Sequence, residues 1–388
     1  MVAEVPGFAD VVIVGGGVMG TSIAFHLAEA GVRDVVLLEM NELGSGSTCK
    51  AAGGVRANFS DEVNIALGAR SLEAFARFGE RPGQEIDLHR VGYLFLLDSA
   101  EQVEHFREST ALQNKLQPGS GLPTRMVSIE EAVSLAPVVA ADGLVGACFS
   151  PSAGHCTPES VVLGYASAAR RLGARLVTGC EVLGIDAVGN QISVVRTSLG
   201  DVRAGTVICA AGAWSAQLGD MVGVELPVVP LRRQIVVTEA VPGLPPDLPM
   251  TIDFGTTFYF HREGPGLLVG MSDPDEQPGF HLNRTDAWIP RLTEAMAQRA
   301  PSLLDIGLTG GWAGLYEVTP DHNALIGEAD GVSRFLYATG FSGHGFLQGP
   351  AVGEVIRDLY LGREPFVDIT PLSADRFLST VRPERNIV

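Results

Sequence analysis

The chain opens with a change of hydrophobic period. Four consecutive apolar β-formers, Val11 to Val14, give way to Gly15, Gly16 and Gly17, and then to a helical spacing that runs past Gly20 to about Ala30. Gly31 supplies a helix stop, and Val35 to Leu38 form a second buried run that ends on the acid Glu39. The pattern predicts a βαβ unit with a glycine-rich turn after its first strand. From Asn41 to Ser60 small residues dominate, with too little periodicity for a helix, and the segment reads as a loop lying against a ligand.

Further along, the spacing of Ile65, Leu67, Leu72, Phe75 and Phe78 predicts an amphipathic helix over Asp61 to Phe78. Val91 to Leu97 reads as a strand and Glu101 to Lys115 as a polar helix. Ser128 with Glu131 makes a capping-box pattern for a short helix stopped by Pro137. These elements break the βα alternation and read as the first half of an inserted domain. A long helix from Thr157 or Pro158 to Leu172, then strands at Ala174 to Val177, Gln191 to Ser198 and Thr206 to Cys209, return the chain to the first domain. Val224 to Leu315 is strand-rich, with a helix from about Ala287 to Ala300, and reads as a sheet roofing the site. A strand, a second glycine-rich turn and a helix follow, over Arg334 to Gly362; the tail after about Pro365 shows no pattern.

The fold class this predicts is α/β: a Rossmann-type nucleotide domain with an inserted α+β domain on an antiparallel or mixed sheet. The expected division is discontinuous, with 1–85, 150–222 and 316–388 in the nucleotide domain and 86–149 and 223–315 in the substrate domain.

Each residue type in the first unit answers a physical demand. Gly15 permits the sharp turn, Gly17 lets a pyrophosphate approach the backbone, and Gly20 lets the helix lie close to the strands. The helix start offers unpaired N–H groups and a positive dipole end, and Glu39 is placed to accept hydrogen bonds from a ribose hydroxyl pair. That unit implies a dinucleotide. The second turn, Gly340 to Gly349, aims another helix start at an electron-rich group, which suits the pyrimidine end of a flavin.

Composition narrows the partners. At 388 residues with 46% apolar content, the chain can bury two cores. A formal charge of −18 disfavours nucleic acid and anionic membrane surfaces. The five cysteines are scattered with no CxxC, which fits reduced thiols and argues against a metal site. The start lacks a signal-peptide pattern, and no run approaches the roughly 18 apolar residues of a bilayer span, so a cytoplasmic location is expected.

Four motifs carry a family resemblance: VVIVGGGVMGTSIAFHLA, the loop GSTCKAAGGVR, the strand TVICAAGAWS, and the pair WAGLYEVTPD with ATGFSGHGFLQGPAVG. Along almost its whole length the chain resembles the glycine, D-amino acid and sarcosine oxidase family of FAD enzymes, most of all the sarcosine oxidase β-subunit and dimethylglycine dehydrogenase branch. The resemblance implies FAD, with Gly15, Gly17, Val18, Met19, Gly20, Glu39 and Met40 around its AMP half. Ser47, Thr48, Lys50, Ala52, Gly53 and Gly54 would border the flavin, Val182, Ala211, Gly212 and Trp214 would flank the cofactor, and Gly343, His344, Gly345 and Phe346 would meet the pyrimidine edge.

It further implies oxidation of the C–N bond of a secondary or tertiary amino acid or related amine by hydride transfer to flavin N5, giving an imine that water hydrolyses. Arg56 matches the family arginine that holds a substrate carboxylate, Tyr259 and Tyr316 are candidates for pocket walls, and Lys50 and His344 are candidate polar groups near the flavin. His261 is a candidate because it stands near the place where the family pattern often has an arginine after the aromatics of YFHRE. Two alternatives stay open: a flavin-binding assembly factor without turnover, and an electron-transferring subunit of a hetero-oligomeric complex. Oxygen or another acceptor would complete the cycle, with dehydrogenase slightly favoured, and a homo- or hetero-oligomer is left open.

Departures from the family pattern sharpen the expectations. Gly314 stands where some relatives attach flavin through cysteine, and Lys50 where others use histidine, so FAD is expected to be non-covalent. Leu347 replaces a carboxylate-binding lysine, which weakens the expected grip on a carboxylate. Leu268 replaces a lysine expected over the flavin.

Overall fold

The computed structural model describes residues 4–117, 122–378 and 382–387. Its first sheet is built on the strand Phe8–Val14, which pairs in parallel with Val35–Leu38 on one side and Gly200–Cys209 on the other. Arg175–Val177 extends it beyond Val35–Leu38, Phe335–Thr339 and antiparallel Leu325–Glu328 complete the other edge, and the hairpin Val182–Val188 with Gln191–Thr197 branches from Gly200–Cys209. Both faces of this sheet are covered, as its unbroken apolar strands require. Val11 and Ile13 join a core with the helices Val18–Glu29, Pro158–Arg171 and Gly345–Tyr360, while Val12 and Val14 face a second core with Val195, Val207 and Leu226.

The register places the site. Val14 pairs with both Leu38 and Cys209, and Cys209 with Tyr337, so neighbouring parallel strands end level. The chain leaves them in different directions, which opens a crevice beyond their carboxyl ends, the usual ligand position of an open α/β sheet.

The second sheet runs in the order Leu308–Val318, Val229–Thr238, Gly266–Met271, Tyr259–Glu263, Met250–Asp253, Tyr93–Leu97, Gly146–Ser150 and Arg125–Val127. It is mixed, because Met250–Asp253 lies parallel to Tyr93–Leu97 while the other pairs are antiparallel. One face buries Leu94, Val236, Phe260 and Val269 against the helix Ile289–Arg299 through Trp288, Leu292 and Met296. The opposite face looks toward the first sheet, and its side chains alternate accordingly: Arg233 and Ile235 there, Val236 behind.

The hydrophobic pattern marked most helices well. The helix expected over Asp61 to Phe78 is Glu62–Ala76, with Asp61 as its side-chain cap, and Ser128 accepts from the Glu131 amide as the capping box predicts. The loop expectation for 41–60 is met except for the turn Thr48–Lys50 and the two-residue strand Gly54–Val55, paired with Gly154–His155. Short strands at Arg125–Val127, Gly146–Ser150 and Met250–Asp253 carried too few residues to show a period.

The tail is the clearest addition. Glu384 and Asn386 are buried, and Glu384 takes the Ser60 amide on both carboxylate oxygens, at 2.9 and 3.1 Å. Among the described residues, no helix is long and apolar enough to cross a membrane.

Candidate active site

A cavity of about 410 Å³ occupies the crevice and continues beneath the second sheet. At one end it meets the glycine turn. Gly15 has φ +114°, and a Cβ there would fall 2.2 Å from the Ala210 carbonyl oxygen. Gly20 does not line the cavity; a Cβ at this position would lie 1.9 Å from the Gly15 oxygen, so it acts as the spacer that seats the helix. The Val18 amide donates to the Thr48 hydroxyl at 3.1 Å, which leaves that hydroxyl's own hydrogen free to point into the cavity. Glu39 closes this end and accepts from the amides of Gly16 at 2.7 Å and Asn41 at 2.8 Å.

Every other residue expected around a cofactor borders the cavity. Val18, Met19 and Met40 do so near the turn, Ser47, Thr48 and Lys50 through Gly54 along the loop, Val182, Ala211, Gly212 and Trp214 on the flank, and Gly343 through Phe346 at the far end. Gly53 has φ +74°, and a side chain there would strike the Cys156 carbonyl. The helix Gly345–Tyr360 begins without a side-chain cap, so the first N–H groups of this four-turn helix face the cavity unclaimed by a capping residue.

Lys50, Arg56, Tyr259, Tyr316 and His344 also border the far half. Arg56 is buried, donates to the backbone oxygens of Asn58 and, at 2.7 Å, Asn386, and lies 4.6 Å from the centre of the Phe59 ring. Burial lowers its pKa, opposed by the nearby Tyr93 and Glu384. His344 sits edge-on to Phe59 at 5.0 Å; burial and then the Arg56 charge push its pKa well below the usual range, so the ring is neutral. Burial raises the pKa of Tyr259 and Tyr316, so both phenols keep their protons.

His261 corrects the sequence reading. It shares Tyr259's face of the strand but lies two residues further on, where its ring nitrogens meet the carbonyls of Ala52 at 2.9 Å and Arg262 at 2.8 Å. It stacks on His155 at 4.1 Å and does not line the cavity. Leu268 is likewise off the cavity, paired with Val237 in the sheet, while Leu347 does border it.

Of the lining groups that escaped the sequence reading, three stand out chemically. Tyr93 comes from the first strand of the inserted sheet, and Arg233 from the strand Val229–Thr238. Glu317 is the third: it accepts from Thr339 Oγ1 at 2.9 Å and the Gly340 amide at 3.0 Å, and burial pushes its carboxyl up to about 7. The signal for Glu317 was its place inside WAGLYEVTPD, as the lone acid ahead of the motif's aspartate. Arg233 gave less: in RRQ nothing in the sequence says which arginine turns inward.

A nucleotide-type crevice joined to a buried, cation-bearing chamber defines a flavoprotein oxidoreductase. The chain belongs to the FAD dependent oxidoreductase family, whose model matches residues 10–359. FAD is accordingly the cofactor. The chain is 30% identical over 389 residues to the mitochondrial dimethylglycine dehydrogenase of Rattus norvegicus, covering 95% of this chain and 45% of that protein. It thus spans under half the length of that relative. To the glycine oxidase of Geobacillus kaustophilus it is 31% identical over 388 residues, covering 97% of this chain and 99% of that one. The crystal structure of L-proline dehydrogenase from P. horikoshii superposes with a TM-score of 0.89 at 31% identity, covering 96% and 99% of the two chains.

Proposed function

We propose that this protein oxidises the C–N bond of a secondary or tertiary amino acid, or a related amine, and releases an imine that water hydrolyses. The observation that carries the reading is the convergence of Lys50, Arg56, Arg233, Tyr259, Tyr316 and His344 on one chamber that is continuous with the dinucleotide cradle.

The residues fit FAD. The glycine turn, with no room for a Cβ at Gly15, suits the pyrophosphate, the Thr48 hydroxyl has a hydrogen to give, and Glu39 stands at the ribose end. The uncapped start of Gly345–Tyr360 meets the other end, where negative charge gathers on a reduced flavin. No attachment residue stands at Gly314, and the Cys49 thiol is pushed up to about 11 by burial and by Glu159, so it is protonated and a poor nucleophile. The cofactor is therefore read as non-covalent.

FAD, when bound, accepts the hydride from the carbon next to the amine nitrogen. The protein's part is orientation and electrostatics. An amine gives a hydride only from its neutral form, and a chamber bearing Lys50, Arg56 and Arg233 disfavours the ammonium form. The neutral His344 ring and the protonated phenols of Tyr259 and Tyr316 add no negative charge, and the lining carboxyl of Glu317, pushed up to about 7 by burial, is uncharged below that pH.

The test is anaerobic addition of N-methylated glycines, proline and their decarboxylated counterparts to the holoprotein. Bleaching of the oxidised flavin spectrum by some of these amines is expected. An unchanged spectrum across the whole panel would instead support a flavin-binding role without turnover.

A further inference from the structure

The two arginines of Arg232-Arg233 leave their strand on opposite faces and meet opposite fates. Arg232 pairs with Glu276 at 2.8 Å and donates to the Asn283 oxygen at 2.8 Å. Arg233 turns into the cavity, and among the described residues no carboxylate lies within ion-pair distance of it. Its guanidinium carbon stands 5.2 Å from the centre of the Tyr316 ring, one terminal nitrogen donates to the Arg232 oxygen at 3.2 Å, and the buried Nε has no partner. A cation that borders a cavity without a carboxylate of its own is placed to hold an anionic group that enters it.

Arg56, the family match for a carboxylate clamp, is differently disposed. Each of its two terminal nitrogens already spends one N–H on a backbone carbonyl, of Asn58 and of Asn386. The Tyr316 ring, by contrast, fixes the orientation of Arg233 without using any of its N–H groups, and that ring is itself seated against Gly343, where a Cβ would fall 2.4 Å from a ring carbon. Tyr259 lies close enough for the Arg233 charge to act on its phenol.

We infer that Arg233 is the specificity residue that receives the substrate's carboxylate, through its terminal nitrogens, beside the hydroxyls of Tyr259 and Tyr316. The substrate class is thereby an amino acid with a free carboxylate rather than a simple amine. This rests on the amine-oxidising reading of the chamber but is testable without turnover. Arg233 also restores the anion grip that Leu347 removes, from a strand where the sequence pattern gave no reason to look.

The experiment titrates the holoprotein with benzoate and with its uncharged analogue benzamide, following the visible flavin spectrum. Wild type is expected to bind benzoate at least about tenfold more tightly than benzamide. Arg233→Met should lose that preference with benzamide affinity unchanged, Arg233→Lys should keep only part of it because a lysine cannot offer two parallel donors, and Arg232→Met should match wild type. If Arg233→Met fails to retain FAD, Arg233→Lys alone decides. Wild-type benzoate affinity in either Arg233 variant, or no benzoate preference in wild type, overturns the assignment. Because binding is read directly, a holoprotein that no amine reduces would defeat the proposed reaction and leave this result standing.

Discussion

Gly314 and Lys50 are in contact across the cavity wall: a Cβ on Gly314 would lie 2.5 Å from the Cβ of Lys50. Trp312, two residues earlier on the same face of the strand, donates its indole N–H to the Lys50 carbonyl at 2.9 Å. The two positions where the family resemblance looks for a covalent flavin link are thus each other's neighbours, and here they hold the loop against the sheet. Gly314→Ala should overpack this contact at a cost of about 1–3 kcal/mol, seen as a lower melting temperature and faster FAD loss. Lys50→Gly in the same chain should recover most of it; a double variant no better than the single would place the strain elsewhere.

Cofactor release gives a second check. Acid precipitation of the purified protein should leave yellow FAD in the supernatant and a colourless pellet. Colour retained in the pellet would mean a covalent link and would return attention to Cys49.

Arg299 and Asp253 form an ion pair at 3.1 Å with both side chains fully buried, and Arg299 also donates to the carbonyls of Ala140 and Asp142. Arg299→Leu would strand the Asp253 charge and should cost about 3–5 kcal/mol in urea unfolding. Replacing both residues with leucine should cost less than the sum of the single changes, since no charge is then left alone.

Two buried carboxyls should each contribute stability that is lost as pH rises into the neutral range. They oppose buried histidines such as His26, His155 and His344, whose lowered pKa makes their contribution grow up to the ordinary histidine range. Burial and the nearby Asp61 push the Glu384 carboxyl up to about 7, and burial does the same to Glu317. A raised folded pKa means that the folded state holds protons the unfolded state has already released. The extra stability is therefore complete below the ordinary carboxylate range and is lost as pH climbs to about 7. Glu384→Gln should make the protein more stable than wild type above that point and remove the Glu384 contribution from the pH slope in urea titrations. An unchanged slope would show that Glu384 ionises as freely in the fold as out of it.

The nucleotide half was legible because its constraints are local. Val11 to Val14, the glycines and Glu39 lie within one short unit, and the physics that fixes each acts between near neighbours. The chamber was harder to read because its walls are assembled across distance. Arg233 and Arg232 are indistinguishable in composition, and only the sheet register turns one inward. His261 failed as a site residue for the same reason: it has the correct face but the wrong depth, and depth is set by where Ala52 and His155 pass. Glu384 and Asn386 left no periodic trace, because a segment that buries single polar residues against a loop has no repeat to display.

That last segment has a consequence for biosynthesis. Asn386 accepts from Arg56, 330 residues earlier in the chain, and Glu384 accepts from the amide of Ser60. A nascent chain can close its nucleotide crevice once Phe335–Thr339 has joined the sheet, yet the wall that carries Arg56 is unfinished until residues 382–387 have left the ribosome. The nucleotide cradle can thus form before the wall at Arg56, which waits for a residue 330 positions further along the chain.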